Sequence, residues 1–336
     1  MSDHSRSTTP EVFDARAPFD KSTADVILRS SDSVDFHVCK AILAEACAFF
    51  EDAFSLPPED ADDDDDEFLY KGDVPVVEVE ESSRTLDTLL RMCYPLPPPE
   101  IAIADLSAVL GAALEYVMDG VTEAVKMQMK TLAVAHPLRV YFIALRHNLL
   151  DEARFAAKCF LAYPVKPIRG AYAEELEVTN GGDYYRILNY HEKCGDAARR
   201  IASSDFEWVS CKSAEDWCFL VRGHVPSCTV TKQSVDIPNC YGPKPTTWWW
   251  KHMSRISQVT DKTPCGKAVL DAGADEALVE AAATQCLVCK PRAAADMRRF
   301  TKLYAAEVDR VTSEVHVPFS GAHGRGGITD RHSCDR

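Results

Sequence analysis

Apolar positions alternate and then change period within the first sixty residues. Val26 and Leu28 share one face of a short predicted strand, a Ser-Ser-Asp-Ser stretch at Ser30 to Ser33 reverses the chain, and Val34, Phe36 and Val38 alternate in a second strand. From Ala41 the spacing becomes helical, with Ile42, Leu43 and Ala46, then Phe49, Phe50 and Phe54. This predicts a hairpin sealed by two short helices, with Ile42, Phe49 and their neighbours closing the sheet. Val74, Val76, Val77 and Val79 supply a third strand, and Ser82 or Ser83 caps a helix carrying Leu86, Leu89, Leu90 and Cys93 on one side. That helix stops at Tyr94, because a proline-rich run follows to Pro99. Asp105 starts the next helix and a further one runs from about Gly120 to Ala133. The expected fold is α+β: a small three-stranded sheet covered by helices.

Beyond residue 135 the pattern is helical. Pro137 fits a first-turn position, and Leu150 to Leu161 forms an antiparallel partner. A helix follows at about Asp183 to Ser203, an alanine-rich one from Gly273 to Thr284, and a last one with Met297, Phe300, Tyr304, Val308, Val311 and Val315 at steps of three and four. That last seam suits packing within the C-terminal region, or a short coiled coil between subunits. Residues 204–265 carry all five tryptophans among prolines and cysteines and read as irregular. The expected organisation is a disordered 1–18, a first domain at 19–135 with an acidic loop at 57–72, a helical region at 136–316 and a flexible tail at 317–336.

The opening residues resemble a BTB/POZ domain, whose pattern is Asp-Val-x-Leu, then Phe-x-x-His-Lys-x-x-Leu, then Ser-x-x-Phe-x-x-x-Phe. Asp25, Val26 and Leu28 match the first part, Phe36, Lys40 and Leu43 the second, and Phe50 and Phe54 the third. Cys39 stands where the family has His, and Cys47 where it has Ser. The overall wording is most similar to fungal BTB/POZ proteins. The resemblance implies a protein-interaction module that forms homodimers, and in many members an adaptor joining a protein cargo to a cullin-type ubiquitin ligase scaffold. Val26, Leu28, Phe36, Leu43, Phe50 and Phe54 are the expected core of that domain.

Charge narrows the function classes. The net charge is −15, and residues 59–67 hold eight carboxylates in nine positions. A chain this acidic is poorly suited to nucleic acid, where phosphate neutralisation supplies most of the affinity. The acidic run lacks the alternating ligands and glycine of a calcium loop and reads as solvated. The N-terminal segment has no secretory pattern and no window suits a membrane span. Thirteen cysteines then imply reduced thiols and an intracellular, cytoplasmic or nuclear setting.

Candidate chemistry is sparse. Cys286 and Cys289, three positions apart, can reach one tetrahedral zinc, with completing ligands from Cys218, His224, Cys228, Cys240 or Cys265. Cys240 and Cys228 are the favoured partners, although both members of the pair can equally be buried hydrophobes. No other cofactor is expected. His191-Glu192 begins a zinc-protease helix, but Gly195 occupies the place of the second His, and Cys265-Gly266-Lys267 lacks the leading glycine of a phosphate loop. His37 reads as a surface or core-edge residue. Trp248-Trp249-Trp250 cannot all face one way, so Trp249 is either core or an anchor for a partner. The sequence thus points to a non-enzymatic interaction protein. The alternative is a zinc-stabilised binding module or transcription-linked regulator, dimerised by the first domain.

Overall fold

The computed structural model describes residues 11–55, 69–165, 172–203, 206, 208–209, 217–221, 224–225, 228 and 245–319. Internal contacts divide the chain into two units, Met1–Ala153 and Arg154–Arg336. The sequence placed the division near residue 135. The helix opened by Pro137 instead packs on its predecessor and belongs to the first unit.

Five strands form the sheet of the first unit: β1 (Phe13–Asp14), β2 (Val26–Arg29), β3 (Val34–Val38), β4 (Tyr70–Lys71) and β5 (Val74–Glu78), in the order β1-β3-β2-β5-β4. The three strands read from alternation make the centre. The two-residue strands at the edges are too short for any period to announce. One of them, β1, lies in the stretch 1–18 expected to be disordered, and β4 lies at the end of the expected acidic loop; most of that loop, residues 56–68, falls outside the described residues.

The hairpin is antiparallel, with Leu28 opposite Phe36, while β5 runs parallel to β2. Its turn is closed by polar groups. Ser30 Oγ accepts from Val34 N at 3.0 Å, and Ser33 adopts φ 62°. Asp32 at the turn accepts from the backbone N–H of Ser83 and from its hydroxyl, both at 2.6 Å. A carboxylate is thereby placed at the N-terminus of a helix, where the unsatisfied amides favour negative charge.

Helices α1 (Lys40–Ala46), α2 (Ala48–Ser55), α3 (Ser83–Cys93), α4 (Leu106–Glu115), α5 (Asp119–Ala135) and α6 (Pro137–Arg146) complete this unit. Asp25, just before β2, accepts from Lys40 N at 2.7 Å and so caps α1. Ser82 caps α3 by accepting from Thr85 N, and Tyr94 ends it. Leu43, Cys47 and Phe50 are the residues of this helical pair that turn inward, all buried. Ile42 is only half-buried and Phe49 is 48 % exposed, so neither seals the sheet as expected. With the chain broken between α1 and α2 at Cys47, the helical phase resets and turns Phe50, not Phe49, inward.

Helix α7 (Leu150–Phe160) runs across the division. The second unit is then helical: α8 (Gly181–Ser203), α9 (Thr247–Lys262), α10 (Gly266–Ala272), α11 (Asp275–Ala283) and α12 (Ala293–Ser313). Helix α9 begins inside the stretch read as irregular. Trp248, Trp249, His252, Met253, Ile256 and Thr260 are its buried residues, a helical spacing hidden by three adjacent tryptophans. The α12 seam is interior: Met297, Phe300, Tyr304 and Val308 are buried in this unit's core, which leaves no apolar stripe for the coiled coil considered as its alternative.

Two glycines set the helix packing. A Cβ on Gly195 would sit 2.8 Å from the Asp261 carbonyl oxygen, so the residue that breaks the zinc-protease motif is the point where α8 meets α9. Gly266 donates its N–H to Asp309 Oδ1 at 2.7 Å, and a Cβ there would lie 2.5 Å from Ala305 O. The Cys265-Gly266-Lys267 stretch is therefore the packing point of α10 on α12. Replacing Gly266 by Ala forces backbone apart, and overpacking of this kind costs about 1–3 kcal/mol. Urea unfolding that leaves the Gly266→Ala midpoint unchanged would contradict the close approach.

Candidate functional site

Each unit presents one distinctive arrangement. In the first, apolar side chains stay outside the core around the sheet edge and the ends of α2 and α4. Strand β1 pairs with β3 through Phe13 N to Ser33 O and Ala15 N to Asp35 O, at 3.0 and 2.8 Å. Its other edge carries no strand among the described residues, and Phe13 on it is 56 % exposed. Phe49 leans on Tyr116, with ring centroids 5.4 Å apart, and Tyr116 also meets Phe50 and donates its hydroxyl to Glu81. Val117 follows, 55 % exposed and at φ 56°. A β-branched residue in the left-handed region is strained, and helices usually end there on glycine. An exposed, strained valine does not serve the interior.

A charged network lies beneath β1. Asp35 is fully buried and accepts from Arg29 Nε and Nη2 at 2.7 and 3.1 Å, and from Lys71 Nζ at 2.8 Å. Lys71 also meets Asp14 at 2.6 Å, and the His37 ring lies 3.1 Å from the same carboxylate. Burial alone would raise the pKa of Asp35, but the two cations outweigh it and hold the carboxyl below its ordinary value. Asp14 is lowered as well, chiefly by Lys71 and His37. His37 is thus a core-edge residue tied to β1.

In the second unit, four side chains from two distant stretches converge. His224, Cys228, Cys286 and Cys289 bring one ligand atom each to within 4.8 Å of one another. His224 Nδ1 lies 3.3 Å from Cys286 Sγ and 3.5 Å from Cys289 Sγ, and the sulfurs of Cys228 and Cys289 are 3.6 Å apart. The three cysteines are buried. Gln285, at φ 52°, starts the turn that presents Cys286 and Cys289, and Lys290 N donates to Cys286 O at 2.9 Å to close it. Burial pushes the Cys286 thiol up. The N–H of Cys289, the His224 imidazole and the amides of Val225 and Val288 more than reverse this and bring it to about 6. Cys228 is pushed up to about 12, by burial and the neighbouring Cys289.

The expected site residues divide clearly. Val26, Leu28, Phe36, Leu43 and Phe50 are buried in the first unit, and Phe54 is half-buried, its ring stacked on Phe50 at 5.6 Å. Cys286, Cys289 and Cys228 lie in one cluster. His224 joins them, and Cys240, the preferred fourth ligand, lies outside the described residues. His224 was among the five completing ligands that the sequence offered, four residues before Cys228. Cys218 stands beside Cys289 without joining the four, and Cys265 is at the N-terminus of α10. Trp249 is not an exposed anchor: it is fully buried, stacked on Phe219 at 5.0 Å and flanked by Phe206 and Phe300. Its indole face is consumed by the unit's own core.

At the two departures from the family pattern, cysteine fills the place differently. Cys47 Sγ donates to the Tyr116 carbonyl at 2.8 Å, keeping a short donor where serine is usual. Cys39 donates its backbone N–H to the Tyr94 hydroxyl at 2.9 Å, and no side-chain bond caps α1 from that position. No helix among the described residues is long and apolar enough to cross a membrane. No curated protein matches the chain. Among models of known protein families, that of the BTB/POZ domain matches residues 17–132. Together with Asp25 capping α1 and the burial of Phe36, Leu43 and Phe50, this identifies a protein whose N-terminal part is a BTB/POZ domain, followed by a mostly helical C-terminal region.

Proposed function

We propose that this protein is a non-enzymatic interaction protein that self-associates through its BTB/POZ domain. The match over residues 17–132 carries the reading, since such domains bind proteins. The exposed Phe13 on an open sheet edge and the exposed pair Phe49 and Val117 support it. An edge strand offers unpaired backbone groups to a second chain, and apolar side chains beside it supply contact area. A stable homodimer of this kind buries ~800 Å² on each partner. Sedimentation velocity over a concentration series is the test. The expected result is a species of twice the 37.2 kDa chain mass, shifted toward monomer by Phe13→Asp or Val117→Asp. A single 37.2 kDa species at every concentration would reject self-association.

The finer reading is an adaptor that holds a protein cargo and docks on a cullin-type scaffold. Direct binding of a purified cullin N-terminal region to the full chain supports the adaptor role, and its absence leaves a dimerising protein without a ligase. Nucleic acid is not part of the proposal, because the chain carries 52 acidic against 37 basic residues.

A further inference from the structure

We propose that His224, Cys228, Cys286 and Cys289 bind one zinc ion in a closed, structural site that fastens His224 and Cys228 to the turn preceding α12. The reading of the BTB/POZ domain neither supports this site nor depends on it.

Geometry is the first argument. Zinc binds thiolate sulfur at ~2.3 Å and imidazole nitrogen at ~2.0–2.1 Å in a tetrahedron, which places sulfurs about 3.8 Å apart and sulfur and nitrogen about 3.5 Å apart. The observed edges are 3.6 Å for Cys228 to Cys289, and 3.3 and 3.5 Å from His224 Nδ1 to Cys286 and Cys289. These three distances match tetrahedron edges, and all four ligand atoms lie within 4.8 Å of one another, while a disulfide needs its sulfurs at ~2.05 Å and every cysteine of the described residues is free.

The turn itself is the second. Cys286 and Cys289 flank a single turn, closed by Lys290 N donating to Cys286 O at 2.9 Å, and that turn brings both sulfurs to the same ring nitrogen of His224. Three buried sulfurs gathered around one imidazole nitrogen make the donor set of a cation site. Softness selects the ion: three thiolates and one imidazole suit zinc, whereas calcium and magnesium require oxygen. Four protein ligands leave no open position for water, so the ion holds structure and performs no hydrolysis.

Position supplies the third. The two pairs are about sixty residues apart in sequence, and the stretch between Val209 and Pro245 contributes no helix or strand among the described residues. Trp217 to Leu220 are held by the aromatic core, by Cys218 N donating to the Asp296 carboxylate at 2.8 Å and by Thr246 N donating to Phe219 O at 3.0 Å, whereas His224 and Cys228 lie beyond these contacts. Metal binding at such a place is coupled to folding.

The test uses the full chain, purified under reducing conditions without chelator, with metal measured by inductively coupled plasma mass spectrometry. The expected result is close to one zinc per chain, retained in Cys265→Ser and lost at least tenfold in Cys286→Ser and in His224→Ala. Replacing zinc by cobalt in the unmutated chain should give the intense visible bands of a tetrahedral ion with sulfur-to-cobalt charge transfer. This keeps the test decisive where a variant fails to fold. Far less than one zinc per chain, iron in its place, occupancy unchanged in Cys286→Ser, or a cobalt spectrum without thiolate bands would each overturn the assignment.

Discussion

Phe50→Ala should destabilise the BTB/POZ domain by ~3–5 kcal/mol, the usual cost of removing a fully buried phenylalanine. The ring is 3 % exposed and is held by Phe54 at 5.6 Å and by Phe49 and Tyr116, each at 5.4 Å. Three aromatic neighbours cannot collapse into the space it leaves, so the high end of the range applies. Folded domains have only ~5–15 kcal/mol in hand, so one truncation consumes a large part of it. Phe49→Ala, in the adjacent position, should cost under ~1 kcal/mol, as surface substitutions do. Urea unfolding followed by fluorescence compares the two. Equal midpoints would show that the inward and outward faces of α2 have been misassigned.

Arg29→Met should be the second large effect, at ~2–4 kcal/mol. Removing one partner of a buried ion pair costs ~3–5 kcal/mol because the other charge is stranded. Here Lys71 remains on Asp35 and the Arg29 side chain keeps 17 % of its exposure, so the lower figure is appropriate. The double change Arg29→Met with Asp35→Leu should recover most of that loss, since the buried carboxylate leaves too. A double variant less stable than Arg29→Met would refute the account. The pH dependence follows with a definite sign. Asp35, Asp14 and Asp32 all titrate below their ordinary value of 3.8 when folded. Their contribution is complete above that value and disappears as pH falls through the lowered folded values. Unfolding midpoints measured from pH 5 down to pH 2 should therefore fall, and fall less steeply in the double variant.

The first domain could be read because period and caps agree. Val26, Leu28, Phe36 and Val38 alternate, Ser82 precedes an apolar helix face, and prolines follow Tyr94. Edge strands of two residues have no period, so β1 and β4 were invisible. In the second unit, α9 was concealed by residues that favour strands as readily as helices: adjacent tryptophans, Thr246 and Thr247. What makes it a helix is tertiary, the stacking of Trp249 on Phe219 and the close approach at Gly195. The metal candidates show the same limit. Cys286-x-x-Cys289 was plain, but choosing its partners among five similar residues needed a contact across about sixty positions. Residue type carries no such distance.

Strand β2 has Val26, Ile27 and Leu28 all inaccessible to solvent, so both of its faces are apolar. Sliding it by one residue against β3 would still bury a hydrophobic side chain at each point, and the usual penalty for misalignment vanishes. What admits a single alignment is the guanidinium of Arg29 opposite Asp35, together with the serine-lined turn beside them. An ion pair that is costly to break but adds little net free energy over an apolar pair thus acts as the pin that sets the hairpin's frame.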